Sequence, residues 1–148
     1  MNTNCKKLVC EFQDKVWTVK VLRENFIAVQ VPVECDIHDI PINTFIMCRS
    51  INVLVFATVS VSDLDTDEFS LAFVLAPLQK YFINKQGIKM TIKDGLLTSS
   101  RLLFSPPIPP YTNLLFKRVI TSMIKCRASL NVTIKTLADL EKKNSNLF

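Results

Sequence analysis

The chain has 148 residues, of which 49% are hydrophobic and 21% charged, and its formal net charge at pH 7 is +5. This length suits one domain with a single core, and the composition excludes general disorder. No run of about 18 apolar residues occurs, so no contact with a membrane is expected. The amino-terminal sequence MNTNCKKLVCEF lacks the apolar core of a signal peptide, which predicts an intracellular protein.

The first sixty residues are rich in β-branched and aromatic residues arranged in short runs, a composition typical of antiparallel strands. Residues 34–43 are polar and are predicted to form a loop. The last run is almost continuously apolar, as in a strand covered on both faces. The predicted strands are Leu8–Phe12, Val16–Leu22, Phe26–Val33, Thr44–Cys48 and Ile51–Ser60.

Aromatic residues occur in every predicted element. A nucleic-acid stacking platform would place them beside Lys and Arg on one exposed face. Most of them instead occupy the inward positions of the apolar patterns, which favours a role in the core. They are Phe12, Trp17, Phe26, Phe45, Phe56, Phe69, Phe73, Phe82 and Phe104.

An acidic turn, Ser62–Glu68, precedes a change in hydrophobic period. Acidic residues suit a helix amino terminus, so this cluster is predicted to be solvated or to cap a helix rather than to act in acid–base catalysis. Pro77 cannot continue a regular helix but can begin one. We therefore predict a helix-turn-helix, with helices at about 67–75 and 77–85; a buried strand at 69–75 is the alternative.

A hairpin signal follows. Ile88–Lys93 alternates apolar and polar residues, and Asp94-Gly95 leads into Leu96–Phe104. Asp-Gly between two strand patterns is typical of a two-residue turn, since both residues tolerate positive φ. The proline-rich segment 105–110 ends this strand in a stiff connector.

The last segment has apolar residues alternately three and four positions apart, the a/d spacing of a coiled coil. It contains no Gly or Pro. We call this series the heptad seam and predict that it forms a homodimer interface. Its members are Phe116, Val119, Met123, Cys126, Leu130, Thr133, Leu137 and Leu140.

The net charge lies in this same segment. Residues 1–111 contain eleven basic and eleven acidic residues, whereas residues 112–148 contain seven basic residues against Asp139 and Glu141. These basic residues could form a solvated outer face, or they could contact an acidic partner or phosphates. If they contact phosphates, weak DNA binding without sequence preference is predicted. The basic residues are Lys117, Arg118, Lys125, Arg127, Lys135, Lys142 and Lys143.

No enzyme signature occurs in the chain. The two glycines, Gly87 and Gly95, form no phosphate-binding loop. Cys35-x-x-His38, with Cys48 beyond it, could supply zinc ligands, but a structural zinc site needs four and the fourth is not local. The five cysteines are predicted to be reduced structural thiols. The sequence thus predicts no catalytic residue, no metal and no cofactor.

A β-rich head at 1–110 followed by a helix at 111–148 resembles the head-plus-coiled-coil superfamily of DNA end-joining scaffolds, which includes the partner of DNA ligase IV, its paralogues and centriolar relatives. The resemblance rests on the predicted helix-turn-helix at 67–85, the hairpin IKMTIKDGLLTSSRLLF and the long helix. It implies an α+β fold, with an antiparallel sandwich-like head interrupted by the helix-turn-helix and a coiled coil for dimerisation.

This resemblance implies a non-enzymatic, nuclear, dimeric scaffold that binds another protein during repair of double-strand breaks. The alternative is a nucleic-acid-associated β domain, clamp-like or OB-like, that binds the phosphate backbone non-specifically. The two differ in what covers the heptad seam. A scaffold buries it against a second chain, whereas a monomeric binding domain folds it onto its own sheet.

Overall fold

The computed structural model describes residues 1–31, 40–104 and 113–145. The fold is α+β, as predicted, and it includes the predicted long carboxy-terminal helix. In chain order the elements are α1 (Thr3–Asp14), β1 (Thr18–Arg23), β2 (Phe26–Gln30), β3 (Asn43–Cys48), β4 (Asn52–Ser60), α2 (Glu68–Tyr81), β5 (Lys89–Lys93), β6 (Leu96–Phe104) and α3 (Asn113–Ser145).

The six strands form one antiparallel sheet in the order β1-β2-β3-β4-β6-β5. Its centre is the pairing of β4 with β6, which extends from Asn52 opposite Phe104 to Ser60 opposite Leu96. The predicted hairpin is confirmed: Asp94 and Gly95 have φ of 53° and 75°, as a tight turn between β5 and β6 requires. The predicted sandwich is not confirmed, because all described strands belong to a single sheet.

The first predicted strand is wrong. Leu8–Phe12 lies inside α1, which begins where the Asn2 side chain accepts a hydrogen bond from the backbone N–H of Cys5 at 2.8 Å. Cys5, Leu8 and Phe12 are fully buried, and their spacing of three and four places them on one helical face. The short apolar run that resembled a strand is one stripe of an amphipathic helix.

The predicted helix-turn-helix is also corrected. Residues 68–81 form one helix that contains Pro77, and a π-helical turn, Phe82–Gln86, continues it. Asp67 caps the helix amino terminus, and Gly87, with φ of 64°, ends the π turn. The buried residues Leu71, Val74 and Leu75 hold the helix on the sheet, and this burial offsets the hydrogen bond that Pro77 cannot donate.

All three helices pack on the same face of the sheet, around two apolar clusters. The first joins α1, the start of α3 and strands β2 to β4; it contains Phe12, Ile46 and Val119. The second joins α2, the rest of α3 and strands β4 to β6; it contains Leu71, Met90 and Leu130. The units predicted as head and helix thus share both cores. Among the described helices, none is both long enough and apolar enough to cross a membrane.

Candidate binding site on the open face of the sheet

The other face of the sheet has no helix on it among the described residues. Side chains alternate across a strand, so the residues next in sequence to the core positions point away from the helices. We call this surface the open face. In the inner strands it presents Phe26, Ala28, Phe45, Met47, Leu54, Phe56 and Leu102.

Three phenylalanines from adjacent strands form a compact cluster in the middle of the open face. Phe26, Phe45 and Phe56 lie on the adjacent strands β2, β3 and β4, and Phe45 is directly opposite Phe56. The ring centroids of Phe26 and Phe45 are 5.6 Å apart with planes 9° from parallel, and those of Phe45 and Phe56 are 5.2 Å apart at 26°. The centroids of Phe26 and Phe56 are 6.0 Å apart at 31°, so each ring contacts both others. Because they occupy consecutive strands of the sheet, we call these residues the aromatic row.

The rings of the aromatic row pack in an offset arrangement. Carbon atoms in van der Waals contact are about 3.5 Å apart, so nearly parallel rings with centroids 5.2 and 5.6 Å apart are displaced sideways and overlap only partly. Each ring is half-buried. The guanidinium of Arg23 lies 5.0 Å from the centroid of the Phe26 ring and makes a cation–π contact at the end of the row.

Apolar side chains surround the aromatic row. Met47, Leu54 and the three rings are half-buried, and Leu102 is 43% exposed. A groove of about 400 Å³ opens beside Phe45 and is also lined by Lys20 and Gln30. The open face thus offers a contiguous apolar surface with an adjacent concavity that can receive a side chain.

The charge of the open face is entirely basic. Lys20 and Arg23 in β1 and Lys89 and Lys93 in β5 share it with the aromatic row, and the described strand residues on this face include no Asp or Glu. Arg49, just after β3, reaches the sulfur of Met47 at 3.9 Å. These cations lie mainly at the two sheet edges, so they form a basic rim around an apolar centre.

The sequence analysis favoured a core role for the aromatic residues, and this is wrong for Phe69 and Phe73, which are 84% and 78% exposed on α2. The three residues of the aromatic row are half-buried but lie on the open face, outside both apolar clusters. Their strands carry apolar residues on both faces, which suggests strands covered on both sides, and the sequence does not show how many layers cover the sheet. The described helices cover one side only. Phe12 and Phe82, in contrast, are buried as predicted.

The heptad seam is not a free surface. Its first seven members are at most 6% exposed and belong to the chain's own interior, where they contact the sheet and the other helices. These residues are Phe116, Val119, Met123, Cys126, Leu130, Thr133 and Leu137. Only the eighth member, Leu140, is substantially exposed, at 40%. The predicted coiled-coil interface is therefore corrected, because a helix packed on a sheet needs the same apolar stripe as one packed on a partner helix.

The predicted basic contact residues separate into two groups. Lys117, Arg118, Lys135, Lys142 and Lys143 are exposed along α3, and Lys125 is half-buried. Arg127 is only 5% exposed; its Nη1 donates to the carbonyl oxygen of Ile42 at 3.0 Å and to Oγ1 of Thr44 at 2.8 Å. Arg127 thus links α3 to the start of β3 and is not available to a phosphate on the surface.

Cys35 and His38, the possible zinc ligands, lie outside the described residues. Cys48 is buried in β3, where a hydrogen bond with the Cys5 thiol and burial together raise its pKa. No group of three or more His, Cys, Asp or Glu side chains within residues 1–31, 40–104 and 113–145 could hold a metal ion.

The acidic turn has local structural roles. Asp67 accepts hydrogen bonds from the backbone N–H and the hydroxyl of Ser70, and these bonds lower its pKa. Glu68 accepts from the backbone N–H of Gly95 at 2.9 Å, which connects the first turn of α2 to the β5–β6 turn. Asp63 and Asp65 are exposed. The cluster thus caps a helix and fixes a hairpin.

Comparison with protein-family models gives no match, and comparison with curated proteins gives none either. Among solved structures, the chain is similar to YbjN from E. coli, described as "a putative transcription regulator". The TM-score is 0.59 and the identity 11%, and the match covers 93% of this chain and 92% of YbjN. At this identity the likeness concerns the fold alone.

Proposed function

We propose that this protein is a non-enzymatic binding module that holds an acidic, apolar-rich segment of a partner protein on the open face of its sheet. The observation that carries the proposal is the aromatic row, which none of the described helices covers. A contiguous apolar patch of this kind, bordered by polar residues, is typical of a protein-interaction surface.

The packing of the rings favours a polypeptide over bases. Base stacking needs a ring face open to solvent, whereas these three rings are half-buried and each contacts both others. Arg23 occupies a position over Phe26. The half-buried rings, with Met47, Leu54 and Leu102, instead resemble the apolar centre of an interface that receives aliphatic side chains.

The basic rim specifies the charge of the partner. Lys20, Arg23 and Lys89 face the same side as the aromatic row, and no described strand residue on that face carries a negative charge. Acidic side chains that flank the apolar residues of a partner would pair with this rim, which raises the association rate and selects against basic segments. A second copy of this chain would bring the same charges to the contact, so self-association through the open face is disfavoured.

Nucleic-acid binding is the second candidate, and a different observation favours it. Five basic side chains, Lys117, Arg118, Lys135, Lys142 and Lys143, are exposed along α3. Such a surface suits salt-dependent phosphate contacts without sequence preference. The chain's own sheet covers the heptad seam. A monomeric binding domain is expected to bury the seam in this way, whereas a coiled-coil scaffold would bury it against a second chain. The predicted roles in end joining and in the nucleus stay predictions.

The test is fluorescence anisotropy with three labelled probes: a peptide that alternates Leu and Glu, a matched peptide that alternates Leu and Lys, and single-stranded oligo-dT. We expect binding of the acidic peptide only, with a dissociation constant that rises with salt because of the basic rim. Phe45→Thr should weaken this binding at least about tenfold, as expected for a residue at the centre of an interface. Phe69→Thr, the same substitution on α2, serves as the matched control and should leave it unchanged.

Absence of binding by the acidic peptide, or equal loss in both variants, would contradict the proposal. Binding of oligo-dT by the unmodified chain would favour the nucleic-acid candidate, provided that Lys117→Glu and Lys135→Glu abolish this binding and Phe45→Thr does not change it. Circular dichroism of each variant checks that the sheet remains folded.

A further inference from the structure

Helix α2 is apolar on both of its sides. Its inner side contributes Leu71, Val74 and Leu75 to the core. Its outer side carries Phe69 and Phe73, one helical turn apart, which are 84% and 78% exposed. Single exposed apolar residues are common, but two adjacent phenylalanines with most of their surface in water indicate a surface that a partner covers.

A groove of about 500 Å³ adjoins these two rings. We call it the α2–α3 groove; it lies between the first turns of α2 and the last turns of α3. Its apolar lining comes from Leu137 and Leu140 in α3 and from Phe69, Phe73 and Val74 in α2, and its polar lining is Thr66, Ser70 and Glu141. Leu140 is the exposed member of the heptad seam. The exposed rings and a mostly apolar cavity therefore lie on one surface, where each can serve as the complement of the other.

Both signs of charge border this surface. Asp63 and Asp65 are exposed at the turn before α2, and Lys142 and Lys143 are exposed at the end of α3, where Asp139 and Glu141 also lie. A partner surface that is wholly acidic or wholly basic would place like charges against one of these two borders. A second copy of the same surface supplies acids for the lysines and lysines for the acids.

We infer that the α2–α3 groove is a homodimer interface. In a two-fold arrangement, Phe69 and Phe73 of each copy pack against the groove of the other. Burying four phenylalanines, at about 150 Å² or more each, removes on the order of 600 Å² from water, and the groove walls add to this. A standard interface buries about 1,200–2,000 Å² in total, so this surface is below the standard size and fits a weak, reversible dimer. The open face remains free, so this inference does not depend on the proposed peptide binding.

The first experiment is sedimentation equilibrium of the full chain over a concentration series. We expect a reversible monomer–dimer equilibrium for the unmodified chain. Phe69→Asp with Phe73→Asp should raise the dissociation constant at least about 100-fold, because each copy then places two charges in the apolar contact. Ile124→Asp, an exposed apolar residue (60%) elsewhere on α3, should leave it unchanged. Both variants should keep the thermal midpoint of unfolding of the monomer.

A charge-exchange experiment tests the geometry separately. Lys142→Glu with Lys143→Glu should weaken the dimer, and the addition of Asp63→Lys and Asp65→Lys in the same chain should restore it. A chain that stays monomeric at high micromolar concentration, a double aspartate variant that keeps the dimer mass, or a failure of the second charge exchange to restore association would overturn the inference. Peptide binding at the open face is measured by anisotropy and would be unaffected by any of these results.

Discussion

Leu130→Ala tests whether α3 belongs to the interior of this chain. Leu130 is fully buried in the same apolar cluster as Ile88 and Met90. The substitution removes the buried side chain beyond Cβ and leaves a cavity between α3 and the sheet. Comparable substitutions cost about 2–5 kcal/mol, and we expect about 3 kcal/mol here. A domain stable by about 5–15 kcal/mol would remain folded but would unfold at a clearly lower urea concentration.

The assay is urea denaturation followed by circular dichroism, with all proteins carrying Phe69→Asp and Phe73→Asp so that association through α2 does not contribute. Leu114→Ala is the matched control, because it is the same substitution in the same helix at a residue that is 62% exposed. It should change the free energy of unfolding by less than about 0.5 kcal/mol.

Two results would refute this assignment of α3. One is a decrease in the free energy of unfolding of Leu130→Ala that is no larger than the decrease for Leu114→Ala. The other is a midpoint that depends on protein concentration, since the stability of a coiled-coil dimer falls by about 1.4 kcal/mol for each tenfold dilution. An intramolecular helix gives the same midpoint at every concentration.

Three further outcomes are expected. Burial raises the pKa of the Cys126 thiol from 9.0 to about 11, so its contribution to stability is complete below pH 9 and is lost as the pH rises through 11. Urea denaturation should therefore show a loss of up to about 3 kcal/mol over this interval that is absent in Cys126→Ala. Arg127→Ala should cost about 2–4 kcal/mol by the same method, because it leaves the Ile42 carbonyl without this donor, whereas Lys135→Ala should cost less than about 0.5 kcal/mol. Asp67→Ala should lower the thermal midpoint at neutral pH. Because the folded pKa of Asp67 is lowered, this difference should disappear as the pH falls through that pKa.

Several elements that depend on local sequence were predicted correctly. The Asp94-Gly95 turn and the alternating strands on either side of it depend on backbone geometry within a few residues, and the structure contains them. The long helix follows from an uninterrupted apolar period without Gly or Pro. All of β2 and β4 and most of β1 and β3 also lie within the predicted runs.

What the sequence could not give is the identity of the surface that covers each apolar stripe. The period of Phe116 to Leu140 is the same whether the helix packs on a sheet or on a second helix, and the sheet is formed by residues far away in sequence. In β2 to β4, apolar residues occur on both faces, and only the arrangement of helices decides which face is left uncovered. The sequence therefore identified the three phenylalanines as apolar strand residues, but it could not predict that they lie together on the open face.

The path of α3 across the sheet has a consequence for how the molecule opens. Its first half lies in the cluster with α1, and its second half lies in the cluster with α2. Because the 33 residues of α3 contribute side chains to both clusters, the free energies of unfolding of the two clusters are coupled. Neither cluster can lose its packing without exposing part of the other. The central amides of β4 and β6 should consequently exchange with solvent only through global opening. Phe56 in β4 connects the aromatic row to this most protected part of the sheet, so a partner bound there would meet a surface that is already rigid.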